Sequence, residues 1–80
     1  MRAMTHAANL ELDLSGLTCP LPLLKAKQAL NRLESGGVLK VTATDPGSER
    51  DFHVFAQQSG TLLLEFRKEG GAFHYWLQKP

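Results

Sequence analysis

Cys19 is the only thiol in the chain, and any sulfur chemistry the sequence supports has to run through it. One cysteine cannot form an internal disulfide, and a two-cysteine redox exchange lacks its resolving partner. Metal clusters built on several thiolates are excluded for the same reason. His6, His53 and His74 show no close spacing to one another or to Cys19, so neither a metal site nor a Cys–His catalytic pair is expected. What singles out Cys19 is its setting. It lies between a turn glycine, Gly16, and two prolines, Pro20 and Pro22, which fit only the first turn of a helix. First-turn N–H groups are unpaired, and with the helix dipole they favour an anion, here the thiolate. The dipole contributes about 0.3–1 kcal/mol, less than the ~1.4 kcal/mol of one pKa unit. No Lys, Arg or His stands within three residues to add to it. A modestly acidified thiol is therefore expected. A lone cysteine in a small domain is otherwise a common apolar filler; placement at a helix start favours a reactive role.

The elements that must position this thiol follow from periodicity. Residues 1–9 read as a flexible tail and residues 10–80 as one domain. Leu10, Leu12 and Leu14 alternate with Glu11 and Asp13, the period of a half-buried strand. Leu23 to Leu33 is helical in composition, with Gly36-Gly37 expected to end it. Leu23, Ala26, Ala29, Leu30 and Leu33 share one arc and form the buried face. Val38 to Thr44 is a second strand. Asp45-Pro46 reads as an N-cap with proline at the first helical position, and Ser48 with Asp51 as a rival cap. Phe52, Phe55 and Ala56 give the second helix its buried stripe, and Gly60 stops it. Thr61 to Lys68 and Ala72 to Lys79 are two strands joined by Gly70-Gly71 as a hairpin. The order β-α-β-α-β-β predicts an α/β two-layer sandwich, a four-stranded mixed sheet with two helices on one face. A right-handed crossover makes the first two strands parallel. Both helix starts then share one sheet edge, where open α/β sheets bind ligands. That edge carries Cys19 and Asp45.

Composition narrows the function classes. Eighty residues make a single small domain, and nine basic against eight acidic residues give a net charge of +1. Binding nucleic acid through a basic face is not expected. No stretch approaches a membrane span, and the region around Arg2 has no apolar run of a signal peptide behind it. A lone thiol without an export signal suits the cytoplasm.

With these elements in place, the stretch Leu12-Asp13-Leu14-Ser15-Gly16-Leu17-Thr18-Cys19-Pro20-Leu21-Pro22 resembles the signature of the TusA/SirA family of sulfur carriers, Cys-Pro-x-Pro preceded by Asp-x-x-Gly-Leu. Asp45-Pro46-Gly47-Ser48-Glu49-Arg50-Asp51 resembles the family's second signature, Asp-Pro followed by Arg-Asp. The match runs from about residue 10 to 79 with the same element order. The resemblance implies a sulfurtransferase-type relay rather than a turnover enzyme on a small substrate. Cys19 would hold sulfane sulfur as a persulfide and need no other cofactor and no metal. The sulfur would come from a cysteine desulfurase or rhodanese and pass to an acceptor protein serving tRNA thiolation, sulfur oxidation, molybdenum-cofactor assembly or thiosulfate assimilation. Pro20, Pro22, Asp45, Arg50 and Asp51 are the supporting residues it brings. In the member serving tRNA thiolation the residue between the prolines is acidic; Leu21 stands there in this chain, which sets that pathway apart from the shared sulfur chemistry. A persulfide is more acidic than a thiol, so the loaded form would gain more from a helix start.

The remaining candidates are simpler. Asp45 is expected chiefly as a helix cap, and Arg50 and Asp51 as a solvated helix surface, with mutual pairing or a partner contact as the alternative. Asp13 is expected to be exposed or bonded to the turn at Gly16. Trp76 alternates with His74 and Gln78 and falls on the open sheet face. Leu21 and Leu24 lie outside the buried arc of the first helix, at i and i+3, close to the thiol. They are expected to form, with Lys25, the rim on which a partner docks, Lys27 and Arg32 adding charge steering. The protein is expected to be a monomer. The competing reading is a regulatory or protein-binding module whose cysteine is structural.

Overall fold

The computed structural model describes residues 7–80; His6 and the residues before it lie outside the described residues. Six elements follow one another as read from periodicity: β1 (Leu10–Leu14), α1 (Leu21–Arg32), β2 (Val38–Ala43), α2 (Ser48–Ser59), β3 (Leu62–Glu69) and β4 (Ala72–Gln78). The sheet order is β1-β2-β4-β3. β1 and β2 are parallel, as the crossover through α1 requires, and the other two pairings are antiparallel. Gly70 and Gly71 both have positive φ, +54° and +83°, the pair of angles a two-residue hairpin with matching twist needs.

Alternation sorts the strands into two faces. Leu39, Val41 and Ala43 of β2 join Phe73, Tyr75 and Leu77 of β4 and Leu14 of β1 beneath the helices. α1 packs against β1 and β2, α2 against β3 and β4, and the helices touch each other, so both cover the same face. From α1, Ala26, Ala29 and Leu30 enter the core, with Leu23 and Leu33 partly buried against it. Phe52 of α2 is fully buried, its ring stacked on Tyr75 with centroids 4.4 Å apart and planes 14° from parallel. Among the described residues no helix is long and apolar enough to cross a membrane.

Three boundaries depart from the sequence reading. The helix α1 does not run to Gly36-Gly37. Leu33 leaves it in extended conformation, φ −88° and ψ 154°, with its N–H still bonded to the Leu30 carbonyl. Gly36, at φ +88°, instead makes the turn into β2, its N–H donating to the Lys79 carbonyl at 2.8 Å. Asn9, assigned to the tail, is tied to the sheet: its N–H donates to the Val38 carbonyl and its Oδ1 accepts from the Val38 N–H, both at 2.8 Å. In β3, Leu63 pairs with Leu77 but Glu65 with Trp76, a bulge at Leu64. The bulge lets Leu63 and Phe66, three positions apart, both pack on the core.

Trp76 does lie on the open face, beside Lys40 and opposite Glu65 in register. It is not a bare contact surface. Lys40 Nζ and Arg67 Cζ stand 5.5 and 5.7 Å from its ring centre, and the residue is only 6% exposed. The Lys40 ammonium, which also donates to Thr42 Oγ1 at 3.0 Å, and the Arg67 guanidinium stand over the indole as cation–π partners.

Candidate functional site

The site is built where β1 and β2 end. Leu14 and Ala43 are the last paired residues of the two parallel strands, so the loops after them emerge side by side. Gly16 turns the first loop at φ +83°, and its N–H donates to Thr44 Oγ1 at 2.9 Å, clasping one loop to the other. Asp13 secures the base of this turn: its Oδ1 accepts from the Ser15 N–H at 3.1 Å and from Ser15 Oγ at 2.6 Å. Those two bonds pull the Asp13 pKa below the ordinary carboxylate value.

Pro20 is the N-cap of α1, with its carbonyl accepting from the Leu24 N–H, and Cys19 sits one residue before it. The Cys19–Pro20 peptide is cis. Pro22 is buried in the first turn, where its missing N–H leaves no bond unmade. The thiol itself is exposed, so Cys19 is not the buried filler that composition alone allowed.

Sequence proximity misjudged the electrostatics of this thiol. Cys19 Sγ donates to Asp51 Oδ2 at 3.2 Å, across 32 residues of chain. The hydrogen bond to Asp51, partial loss of water, and the charges of Asp51 and then Asp45 raise the thiol pKa above its ordinary value. The expected acidification by the helix start is reversed, because a carboxylate in direct contact outweighs a dipole worth a fraction of a pKa unit.

Asp45 is not the cap of α2. The N-cap is Gly47, without a side-chain bond, and the Asp45 carbonyl accepts from the Ser48 N–H at 3.0 Å to close a turn before the helix begins. Asp45 Oδ2 is buried without a hydrogen-bond partner. A β-carbon at Gly47 would come within 3.0 Å of that oxygen, so the glycine leaves room for the carboxylate. Ser48, the rival cap, is buried, and its hydroxyl bonds Tyr75 OH at 2.9 Å. Burial pushes the Tyr75 pKa up to about 12, so the phenol stays neutral and pins the start of α2 to β4. The same first turn of α2 carries Asp51, whose carboxylate reaches Cys19.

The other expected site residues divide. Arg50 is exposed and lines, with Asp51, a groove between α1 and α2 of about 340 Å³ whose apolar walls include Leu23, Val54 and Phe55. Lys27 overhangs the same groove, its Nζ 5.4 Å from the Phe55 ring centre. Leu21 and Leu24 are 43% and 46% exposed, and Lys25 is exposed beside them. Val54, at 41%, adds an apolar residue on α2 that the sequence reading did not include. His53 and His74 stand apart from the thiol. His53 Nδ1 contacts the Glu49 carbonyl at 2.7 Å, and His74 contacts Thr42 on the open sheet face.

Comparison with known proteins places this geometry. The profile of the sulfurtransferase TusA family matches residues 10–79. The sulfur carrier protein TusA of Allochromatium vinosum is 58% identical over 69 residues, covering 86% of this chain and 91% of that protein. The sulfur carrier protein TusA of Pseudomonas aeruginosa is 41% identical over 76 residues, 95% of this chain and 96% of that one. Among solved structures, the SirA-like protein of Desulfitobacterium hafniense superposes with a TM-score of 0.76 at 30% identity, covering 86% of this chain and 95% of its own.

Proposed function

Because this chain belongs to the TusA family of sulfurtransferases, whose named relatives are sulfur carriers, we propose that it relays sulfane sulfur as a persulfide on Cys19. The observation that carries the reading is an exposed, solitary thiol at the shared sheet edge, placed by the Pro20 and Pro22 turn. The donor is a cysteine desulfurase or rhodanese, and the acceptor a protein of sulfur metabolism. In loading, Cys19 Sγ attacks the terminal sulfur of a donor persulfide. The donor S–S bond breaks, a new one forms to Sγ, and the thiol proton ends on the departing donor sulfur. Sulfane sulfur changes hands with no net oxidation, so no redox cofactor is required. Delivery repeats the step with the acceptor as nucleophile. The single exposed thiol suits the reducing cytoplasm. Incubation with a desulfurase and cysteine should raise the intact mass by one sulfur atom, reversibly by a thiol reductant. A wild-type chain left unmodified by several donors would falsify the relay.

Docking is assigned to the rim formed by Leu21, Leu24 and Lys25, which faces solvent within six residues of Cys19. Exposed leucines by themselves mean little; here two stand adjacent, at i and i+3, beside the reacting atom. The double variant Leu21→Ser with Leu24→Ser should keep the fold and load normally from small-molecule persulfides. Loading by a protein donor should slow at least tenfold, the equivalent of ~1.4 kcal/mol. Equal slowing with both donor types, or marked unfolding, would place these leucines outside any docking surface.

A further inference from the structure

The contact between Cys19 and Asp51 cannot survive loading unchanged. In the empty protein the thiol donates its proton to Asp51 Oδ2 at 3.2 Å. A persulfide is more acidic than a thiol, and its terminal sulfur at neutral pH is an anion with no proton to give. The carboxylate that accepts a hydrogen bond from the empty thiol therefore meets the loaded sulfur as a like charge. The surroundings reinforce this asymmetry. Asp45, from the loop after β2, adds negative charge, and its buried Oδ2 has no partner. Glu49, two residues earlier on α2, is paired with Lys68 at 3.4 Å. Two of the helix cations, Arg50 on α2 and Lys27 on α1, line the same groove as Asp51, and the thiol's hydrogen bond goes to Asp51 rather than to either.

Resting on the relay reading above, we propose that Asp51 poises the carrier for release, stabilising the empty thiol and destabilising the persulfide anion on the same sulfur. The equilibrium it acts on is balanced: Cys19–SH and R–S–S⁻ give Cys19–S–S⁻ and R–SH. One S–S bond breaks in the donor, one forms at Sγ, and one proton moves from Sγ to the donor sulfur. The Asp51 charge touches only the Cys19 species, so it pushes sulfur off the carrier towards any acceptor thiol. A carrier has to be loaded and emptied in turn, and a site that bound its cargo too well would stall after the first step.

The test uses the full chain and a small donor, glutathione persulfide in excess glutathione, so that docking plays no part. Intact mass gives the loaded fraction at neutral pH for wild type, Asp51→Asn and Asp51→Glu. Alkylation of the empty chain by iodoacetamide across pH reads the thiol separately. Asp51→Asn is expected to shift the partition towards the loaded form several-fold and to move the alkylation curve to lower pH. Asp51→Glu, which keeps the carboxylate, should stay near wild type in both. Equal partition in wild type and Asp51→Asn would overturn the poising role, as would a glutamate variant that behaves like asparagine. Wild type that takes up no sulfur, while Asp51→Asn still alkylates faster, would overturn the relay reading and the poising role with it, leaving only a hydrogen bond that restrains a thiol.

Discussion

Serine in place of Cys19 is expected to abolish sulfur loading completely while leaving the fold as it is. A hydroxyl oxygen cannot take sulfane sulfur in thiol exchange, and no second cysteine exists to substitute. The structural effect should be small because the side chain is exposed and contributes nothing to the core. A substitution of that kind changes stability by about 0.5 kcal/mol or less. Serine also keeps a donor that can reach Asp51, so the local geometry survives. Intact mass after treatment with a donor should show one added sulfur on wild type and none on Cys19→Ser, with matching thermal melts. A variant that still gained one sulfur would move the chemistry away from this residue. A melt lowered by many degrees would return Cys19 to a structural role.

The frame around that thiol was legible in the chain because its signals are local. The alternation from Leu10 to Leu14, the two prolines after Cys19, and Gly70-Gly71 each specify backbone geometry within a few residues, and each element formed as read. The parallel pairing of β1 and β2 followed from handedness, and it brought the two loops together. Readings failed where distant contacts decide. Asp45-Pro46 is a sound local pattern for a helix start. The bond between Ser48 and Tyr75, 27 residues apart, goes with a start at Ser48, leaving Asp45 in the preceding turn. The sign of the Cys19 shift failed similarly. The chain within three residues of Cys19 carries no charge, and the group that matters lies 32 residues away.

Patterns of period two or 3.6 are equally blind to an inserted residue. Leu62-Leu63-Leu64 gives no phase for β3, and a regular strand cannot bury both Leu63 and Phe66. The bulge reconciles them and turns Arg67 to the open face, where it covers Trp76. The glycine pair after α1 misled in a simpler way. Gly36 does adopt positive φ, but to enter β2 rather than to end the helix, which had already stopped at Leu33. Such glycines mark a turn without saying which element it belongs to.

Phe52→Ala is expected to remove a large part of the stability and, with it, the placement of Asp51. Phe52 is fully buried and stacked on Tyr75, and it follows Asp51 directly in the chain. Phenylalanine-to-alanine changes in cores cost about 3–5 kcal/mol, and the lost ring pair is part of that cost. A domain of this size has a total stability on the order of 4–12 kcal/mol, from about 0.05–0.15 kcal/mol per residue. The substitution therefore takes at least a quarter of it and, at the low end, all of it. Thermal melting should fall by roughly 12 °C or more, since each kcal/mol shifts a domain of this length by about 4–8 °C. Val54→Ala, two residues on and 41% exposed, makes the same kind of truncation outside the core. It should cost less than about 1 kcal/mol. The difference between the two variants isolates burial from helix propensity. Because α2 is held to the sheet through Phe52 and the Ser48–Tyr75 bond, loosening it should free Asp51 from Cys19 before the chain unfolds. In folded Phe52→Ala at low temperature, iodoacetamide should then alkylate Cys19 at a lower pH than in wild type. Unchanged alkylation together with a melt no lower than that of Val54→Ala would show that α2 is positioned by something other than this core contact.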